Sequence, residues 1–270
     1  MDTQHRAITF RPSELEHRYG PGVHILADPL SLTLLARLGS KGVLQPEVGR
    51  LCKHLYRSLT QTVLAAEFPR RTTAVPTRMI DTTPLGVWAG ETMDPSAFTV
   101  VVALARAGLA PAQVTYDFLN EVLEPGRVRQ DHLSLGRQVD AAGRVTGALL
   151  DAAKIGGSID EAMLLIPDPM GATGSTVSTA LQHYRDTVPG TARKIIAVHL
   201  IITPEYLRHV RARHPEVVVY ALRLDRGLSP PDVLDTVPGT RWEAERGLTD
   251  HHYIVPGAGG LGEVLNNSFV

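Results

Sequence analysis

Residues 164–176 read Leu164-Leu165-Ile166-Pro167-Asp168-Pro169-Met170-Gly171-Ala172-Thr173-Gly174-Ser175-Thr176. A short apolar run leads into an acid and a loop of small residues, and from near Val177 the pattern turns helical. Strand, loop and helix in that order leave unpaired amides at the loop and helix start, where an anion is favoured. Gly171, Ala172 and Gly174 let the backbone approach a ligand closely. Thr173, Ser175 and Thr176 add hydroxyl donors for the same group. Asp168, at the strand end, can accept hydrogen bonds from sugar hydroxyls or from metal-bound water. No lysine follows the last glycine and the spacing is not GxGxxG, so two common nucleotide-loop patterns are excluded. The bland alternative is a glycine-rich turn that binds nothing.

The same grammar recurs on both sides of this stretch. Residues 98–104, 162–166, 194–202 and 217–222 are short apolar runs rich in β-branched side chains, as expected of strands buried on both faces. Helical patterns lie between some of them, as at 178–185 and 205–213. Buried strands alternating with helices imply an α/β fold with a central parallel sheet flanked by helices. In such a sheet ligands bind beyond the carboxyl ends of the strands, which is where Asp168 falls. Leu51, Leu55, Leu59 and Val63 recur every four residues and predict a buried helical stripe within a helical region at about 30–68, which Pro69 ends. Residues 1–22 read as a polar lead closed by Gly20-Pro21-Gly22, and 226–250 as a long polar surface excursion.

Composition narrows the function classes. With 27 basic and 28 acidic residues the formal net charge is −1, which argues against a general electrostatic grip on nucleic acid or acidic membranes. No apolar run reaches the ~18 residues a spanning helix needs. The first 20 residues are polar and charged, so neither a signal peptide nor a membrane partner is expected, and a cytoplasmic location is. The single cysteine, Cys52, sits on the apolar stripe and reads as a buried thiol. His251-His252 are adjacent and in an extended segment would point to opposite sides, a poor chelating pair, so no protein metal site is expected.

The stretch that starts Asp168-Pro169-Met170 resembles the phosphoribosyl pyrophosphate loop of the uracil phosphoribosyltransferases, within the type I phosphoribosyltransferases. Further segments match in the same order. Thr83-Pro84-Leu85 and Ala105-Arg106-Ala107-Gly108-Leu109 resemble that family's Thr-Pro-Leu and Arg-Ala-Gly-Leu. The segment 132–137 resembles its mobile His-x-Gly-x-Tyr-Arg stretch. Tyr253-Ile254-Val255-Pro256-Gly257-Ala258-Gly259 resembles a C-terminal hood, placed at about 250–265. The resemblance spans roughly residues 23–265 and makes 23–270 one phosphoribosyltransferase domain.

The resemblance implies transfer of ribose 5-phosphate from phosphoribosyl pyrophosphate to uracil, giving UMP and pyrophosphate. It gives Met170, Gly171, Ala172, Thr173, Gly174, Ser175 and Thr176 to the donor's 5′-phosphate and Asp168 to the ribose hydroxyls. Arg106 and Arg137 fall to the pyrophosphate, and Tyr253, Ile254, Val255, Gly257, Ala258, Gly259 and Gly260 to the base. Mg²⁺ would arrive with the donor, GTP is an activator of some members, and a homo-oligomer is implied, with the helical 30–68 region as its candidate surface. The sequence departs from the family pattern at the hood. Gly260 stands where an acid is usual and Val264 where an arginine is, while Glu263 keeps the second acid. Glu263, Glu205 and Asp225 are the acids that could stand in for the missing one. Gly136, Gln138, Gly171 and Ser175-Thr176 are further departures. Transfer to another base, and sensing of phosphoribosyl pyrophosphate or a nucleotide without turnover, are the alternative readings.

Overall fold

The structure, a computed structural model, describes residue 5 and residues 7–139 and 145–268, with backbone alone at 137–139, 145, 146 and 148. Its frame is a largely parallel sheet. The strands are β1 (Val23–Ile25), β4 (Thr99–Ala105), β5 (Val128–Val139), β6 (Val145–Lys154), β7 (Met163–Pro167), β8 (Met170–Gly171), β9 (Lys194–Ile202) and β10 (Val218–Leu224). They run in the order β1-β10-β9-β7-β4-β5-β6, with β8 added beside β9. All pairs are parallel except the β5–β6 hairpin. A smaller antiparallel ribbon, β2 (Arg70–Pro76) with β3 (Val87–Met93), stands apart from it.

Successive residues of β4 show why the strands read as unbroken apolar runs. Val101 and Ala103 join one core, with α1 (Pro29–Leu38), α2 (Glu47–Glu67) and α3 (Leu109–Val122). Val100, Val102 and Leu104 join the other, with α4 (Ser175–Thr187) and α5 (Pro204–Arg213). Both faces are covered by helices, so neither tolerates polar side chains. Sheet order then fixes the ligand position. After β4 the chain moves to β5 on one side, and after β7 it moves to β9 on the other. The connections diverge between β4 and β7, which opens a crevice at the carboxyl ends of those two strands.

The helical region expected over 30–68 is two helices. Asp28 caps α1, its carboxylate accepting from the Leu30 amide at 3.0 Å, with Pro29 at the first helical position. A turn at 39–46 separates α1 from α2 and holds a cis Gln45–Pro46 peptide. The stripe Leu51, Leu55, Leu59, Val63 lies on α2 as expected, and the first core takes all of it up. Cys52 is buried, and burial pushes its thiol up to about 12. Residues 132–137, expected as a mobile stretch, are β5 backbone paired with β6. Thr83-Pro84-Leu85 sits at the exposed end of the β2–β3 ribbon, with Leu85 87% exposed. Among the described residues no helix is long and apolar enough to cross a membrane.

The segment 226–250 is more than a surface excursion. Glu245 is fully buried and accepts from Arg226 at 3.0 Å, from the Gly239 amide at 2.8 Å and from the Tyr19 hydroxyl. Arg226 in turn donates to the carbonyls of Val233, Leu234 and Thr236. One buried carboxylate thus ties the N-terminal lead, through Tyr19, to the excursion. Glu245→Ala would leave the Arg226 charge uncompensated. Urea unfolding of that variant should show a loss of about 3–5 kcal/mol, and a loss below about 1 kcal/mol would contradict the buried pairing.

Candidate active site

A cleft of about 570 Å³ opens at the carboxyl ends of β4 and β7. Three segments converge on it. Ala105 ends β4, and Arg106 and Ala107 come from the turn after it. Asp168, Met170, Ala172 and Thr173 come from the passage between β7 and α4, and Ser175 and Thr176 from the first turn of α4. His252 to Ile254 and Gly259 to Glu263 come from the C-terminal segment that includes α7 (Leu261–Asn266). Ser134, Leu135 and Gly136 of β5 complete the wall.

The passage is fastened to β9 and Thr203 from Asp168 to Ala172. The Asp168 amide donates to Val198 O at 3.0 Å, and Pro169 O accepts from the Leu200 and Ile201 amides at 3.1 Å each. Met170 and Gly171 then pair with Ile201 and Ile202 as β8. Thr203 continues the fastening, its amide to Gly171 O at 3.1 Å and its hydroxyl to Ala172 O at 2.7 Å. Gly174 takes a left-handed conformation (φ +81°), and α4 starts at Ser175, two residues earlier than the sequence pattern suggested. Ser175 and Thr176 therefore belong to the first helical turn, where free amides and the helix dipole favour an anion. Thr173 Oγ1 lies 2.8 Å from Ser175 Oγ and accepts from the Ser175 amide.

Gly171 does not line the cleft; it is pressed onto α5. A Cβ there would meet Ile202 Cγ2 at 2.9 Å and the Tyr206 ring at 3.0 Å. Tyr206 fills the space a side chain at 171 would need, which accounts for glycine where the resembled family has leucine. Gly108 is constrained in the same way. A Cβ would lie 2.7 Å from Leu104 O and 3.1 Å from Pro167 O, so the turn after β4 packs against the end of β7 only as glycine.

The acids divide by environment. Asp168 is 9% exposed, and burial pushes its carboxyl up to about 7, against a backbone hydrogen bond from Met170 that favours the charged form. Glu205 accepts from the Gly247 amide at 2.9 Å, and Asp225 is held by Arg223 and accepts from the Gly257 amide at 2.7 Å. Both serve to hold the C-terminal segment in place. Glu263 differs. It lines the cleft, and a Cβ at Gly260 would lie 2.6 Å from its Oε2. The Glu263 carboxylate thus stands over the space that a side chain at 260 would enter.

The hood residues separate in the same way. Tyr253, Ile254, Gly259 and Gly260 line the cleft. Val255 exchanges backbone hydrogen bonds with Gly247 and Gly227, Gly257 is bound to Asp225, and Ala258 packs into the core. Arg106 is exposed at the cleft edge, and its Nη1 donates to Ser268 Oγ at 2.7 Å. The Arg137 backbone pairs with Ala148, and its side chain lies outside the described residues. Sequence reasoning singled out neither His199 nor Tyr206, which lie beneath the loop and carry no motif.

A family model described as uracil phosphoribosyltransferase matches residues 25–241, most of the chain. The chain belongs to the uracil phosphoribosyltransferase family. It is accordingly a phosphoribosyltransferase. The matched span stops before the hood. A Rhodococcus jostii protein named uracil phosphoribosyltransferase is 26% identical over 244 residues, 90% of this chain and 97% of its own length. One of that name from Acidovorax ebreus is 28% identical, with 89% and 96% covered. Among solved structures, the AQ2163 protein of Aquifex aeolicus aligns with a TM-score of 0.67 at 20% identity. That alignment covers 90% of this chain and 97% of that one, and it shows a shared fold.

Two outcomes follow from this geometry. Asp168 keeps its proton up to about pH 7 in the folded protein, whereas an unfolded aspartate ionises near pH ~3.9. The native state binds more protons between those values, so this group's contribution to stability is full below the lower one and is lost as pH rises through about 7. Urea midpoints across this range should therefore fall less steeply for Asp168→Asn, and an unchanged slope would refute the burial effect. Gly171→Leu should cost about 1–3 kcal/mol through overpacking against Tyr206 and Ile202. The same change in a Tyr206→Ala background should cost less in thermal melts.

Proposed function

We propose that this phosphoribosyltransferase transfers ribose 5-phosphate from phosphoribosyl pyrophosphate to N1 of uracil, releasing UMP and pyrophosphate. The observation that carries the reading is the convergence, in one cleft, of an anion-favouring loop and helix start, a strand-end aspartate and a hood of backbone groups. The names of the curated relatives support uracil as the acceptor. In this reading Thr173, Ser175, Thr176 and the amides about them hold the 5′-phosphate. Asp168 accepts hydrogen bonds from the ribose hydroxyls, and Arg106 offsets charge on the departing pyrophosphate. Arg137 takes the same role from β5. The bond to the leaving group breaks early, so positioning and charge neutralisation do most of the work.

Mg²⁺ enters with the donor. A hard cation that keeps most of its waters and neutralises pyrophosphate charge needs few protein ligands, and Glu263 on the cleft wall is the acid that would meet one of those waters. The edge of the base is read by backbone N–H and C=O groups between Tyr253 and Gly260. Glu263 supports turnover rather than sensing, because a carboxylate stands beside Gly260 although that residue contributes none.

The test is UMP formation from phosphoribosyl pyrophosphate, Mg²⁺ and uracil, run with and without GTP. Asp168→Asn and Arg106→Ala should each lower kcat/KM by about 100-fold or more, and Glu263→Gln should lower it to a smaller extent. Turnover of another base in place of uracil would move the acceptor. Donor binding without any product would sink the catalytic reading.

A further inference from the structure

Beneath the phosphate loop lies a chain of buried polar groups that the proposed reaction does not use directly. His199 is on β9 and fully buried. Its Nδ1 is 2.6 Å from the Asp168 carbonyl oxygen, and its Nε2 is 2.6 Å from the Tyr206 hydroxyl. Tyr206, also fully buried, is the residue whose ring packs against Gly171. A carbonyl can only accept, so Nδ1 must carry a proton. Burial pulls the imidazole down to about 4 and pushes the phenol well above its usual value, so the ring is neutral and the hydroxyl keeps its hydrogen. One arrangement satisfies every group: the Tyr206 hydroxyl donates to Nε2, and Nδ1–H donates to Asp168 O.

The location of this chain makes it more than a satisfied core histidine. Leu200 and Ile201 both give their amides to Pro169 O, so the Asp168 carbonyl takes its hydrogen bond from the imidazole as the strand leaves the regular ladder. That peptide plane sets the direction in which the Asp168 side chain leaves the backbone. The other end of the chain, the Tyr206 ring, braces the first glycine of the loop. The geometry points to His199, oriented by Tyr206, as a positioning residue that holds Asp168 and the start of the phosphate loop in register for the transfer reaction. The kinetic part of this inference rests on the reaction proposed above; the hydrogen-bond chain does not.

The experiment therefore has two arms. In protein labelled with ¹⁵N at histidine, the His199 signal, assigned by its loss in His199→Asn, should show a neutral ring protonated at Nδ1. An Nε2-protonated ring or an imidazolium would overturn the proposal without any substrate being present. In the UMP assay His199→Phe should lose about 10- to 100-fold in kcat, the scale of a misplaced reacting geometry, while KM for phosphoribosyl pyrophosphate stays within about 3-fold. His199→Asn places an amide donor near Nδ1 and should recover most of that loss. Tyr206→Phe keeps the ring against Gly171 and serves if His199→Phe does not fold; it should lose about 5-fold in kcat, the worth of one neutral hydrogen bond. Unsubstituted kcat in both His199→Phe and Tyr206→Phe would overturn the proposal, as would an Asn variant no better than Phe. Silence of the unsubstituted chain with uracil counts against the reaction, and the spectrum then decides the chain alone.

Discussion

Parallel pairing of β7 between β4 and β9 is the constraint on which the rest of the molecule depends. It puts the divergence of the connections at one point and brings the turn after β4 against the passage after β7. The contact is tight enough that Gly108 has no room for a side chain beside Pro167 O. Two of the three segments that line the cleft hang from these two strand ends. The passage 168–174 gains its shape from continuing to bond β9 after β7 has ended, through Pro169, Met170, Gly171 and then Thr203. A loop fastened in this way has little conformational entropy left to lose on binding a ligand.

The second layer of organisation is a set of carboxylates placed by backbone and arginine. Asp225, gripped by Arg223, receives the Gly257 amide, and Arg223 also reaches Gly257 O at 2.9 Å. Glu205 receives the Gly247 and Leu248 amides. Together they fix where the C-terminal segment crosses the cleft. Because these two acids hold structure, the acid that faces the ligand space beside Gly260 is Glu263, presented from the first turn of α7. The retained second acid thus stands over the space that a side chain at 260 would occupy.

Burial gives the site its electrostatic character. Asp168 sits at the floor of the cleft, where desolvation lifts its carboxyl, while its own carbonyl is bonded to a histidine that the same desolvation keeps neutral. In such a low-dielectric site each hydrogen bond made counts for more than it would in water.

The sequence by itself determined four central strands, β4, β7, β9 and β10, the loop after β7 and their order. Short continuous runs rich in β-branched residues suit strands covered on both faces, and the small-residue loop between strand and helix was legible from residues 164–176 alone. Asp168, Thr173, Ser175 and Thr176 of the cleft were readable there, because local spacing encodes them. What spacing could not encode was decided by tertiary contact. The ribbon 70–93 is exposed on most sides and shows no alternation of burial, so it carried no strand signal. Val255, Gly257 and Ala258 share a motif with Tyr253 and Gly260, yet they turn inward to Gly227, Asp225 and the core. Glu245 and His199 have partners near in space whose identity no local pattern announces. Their roles come from desolvation and close approach, and both exist only once the chain has folded.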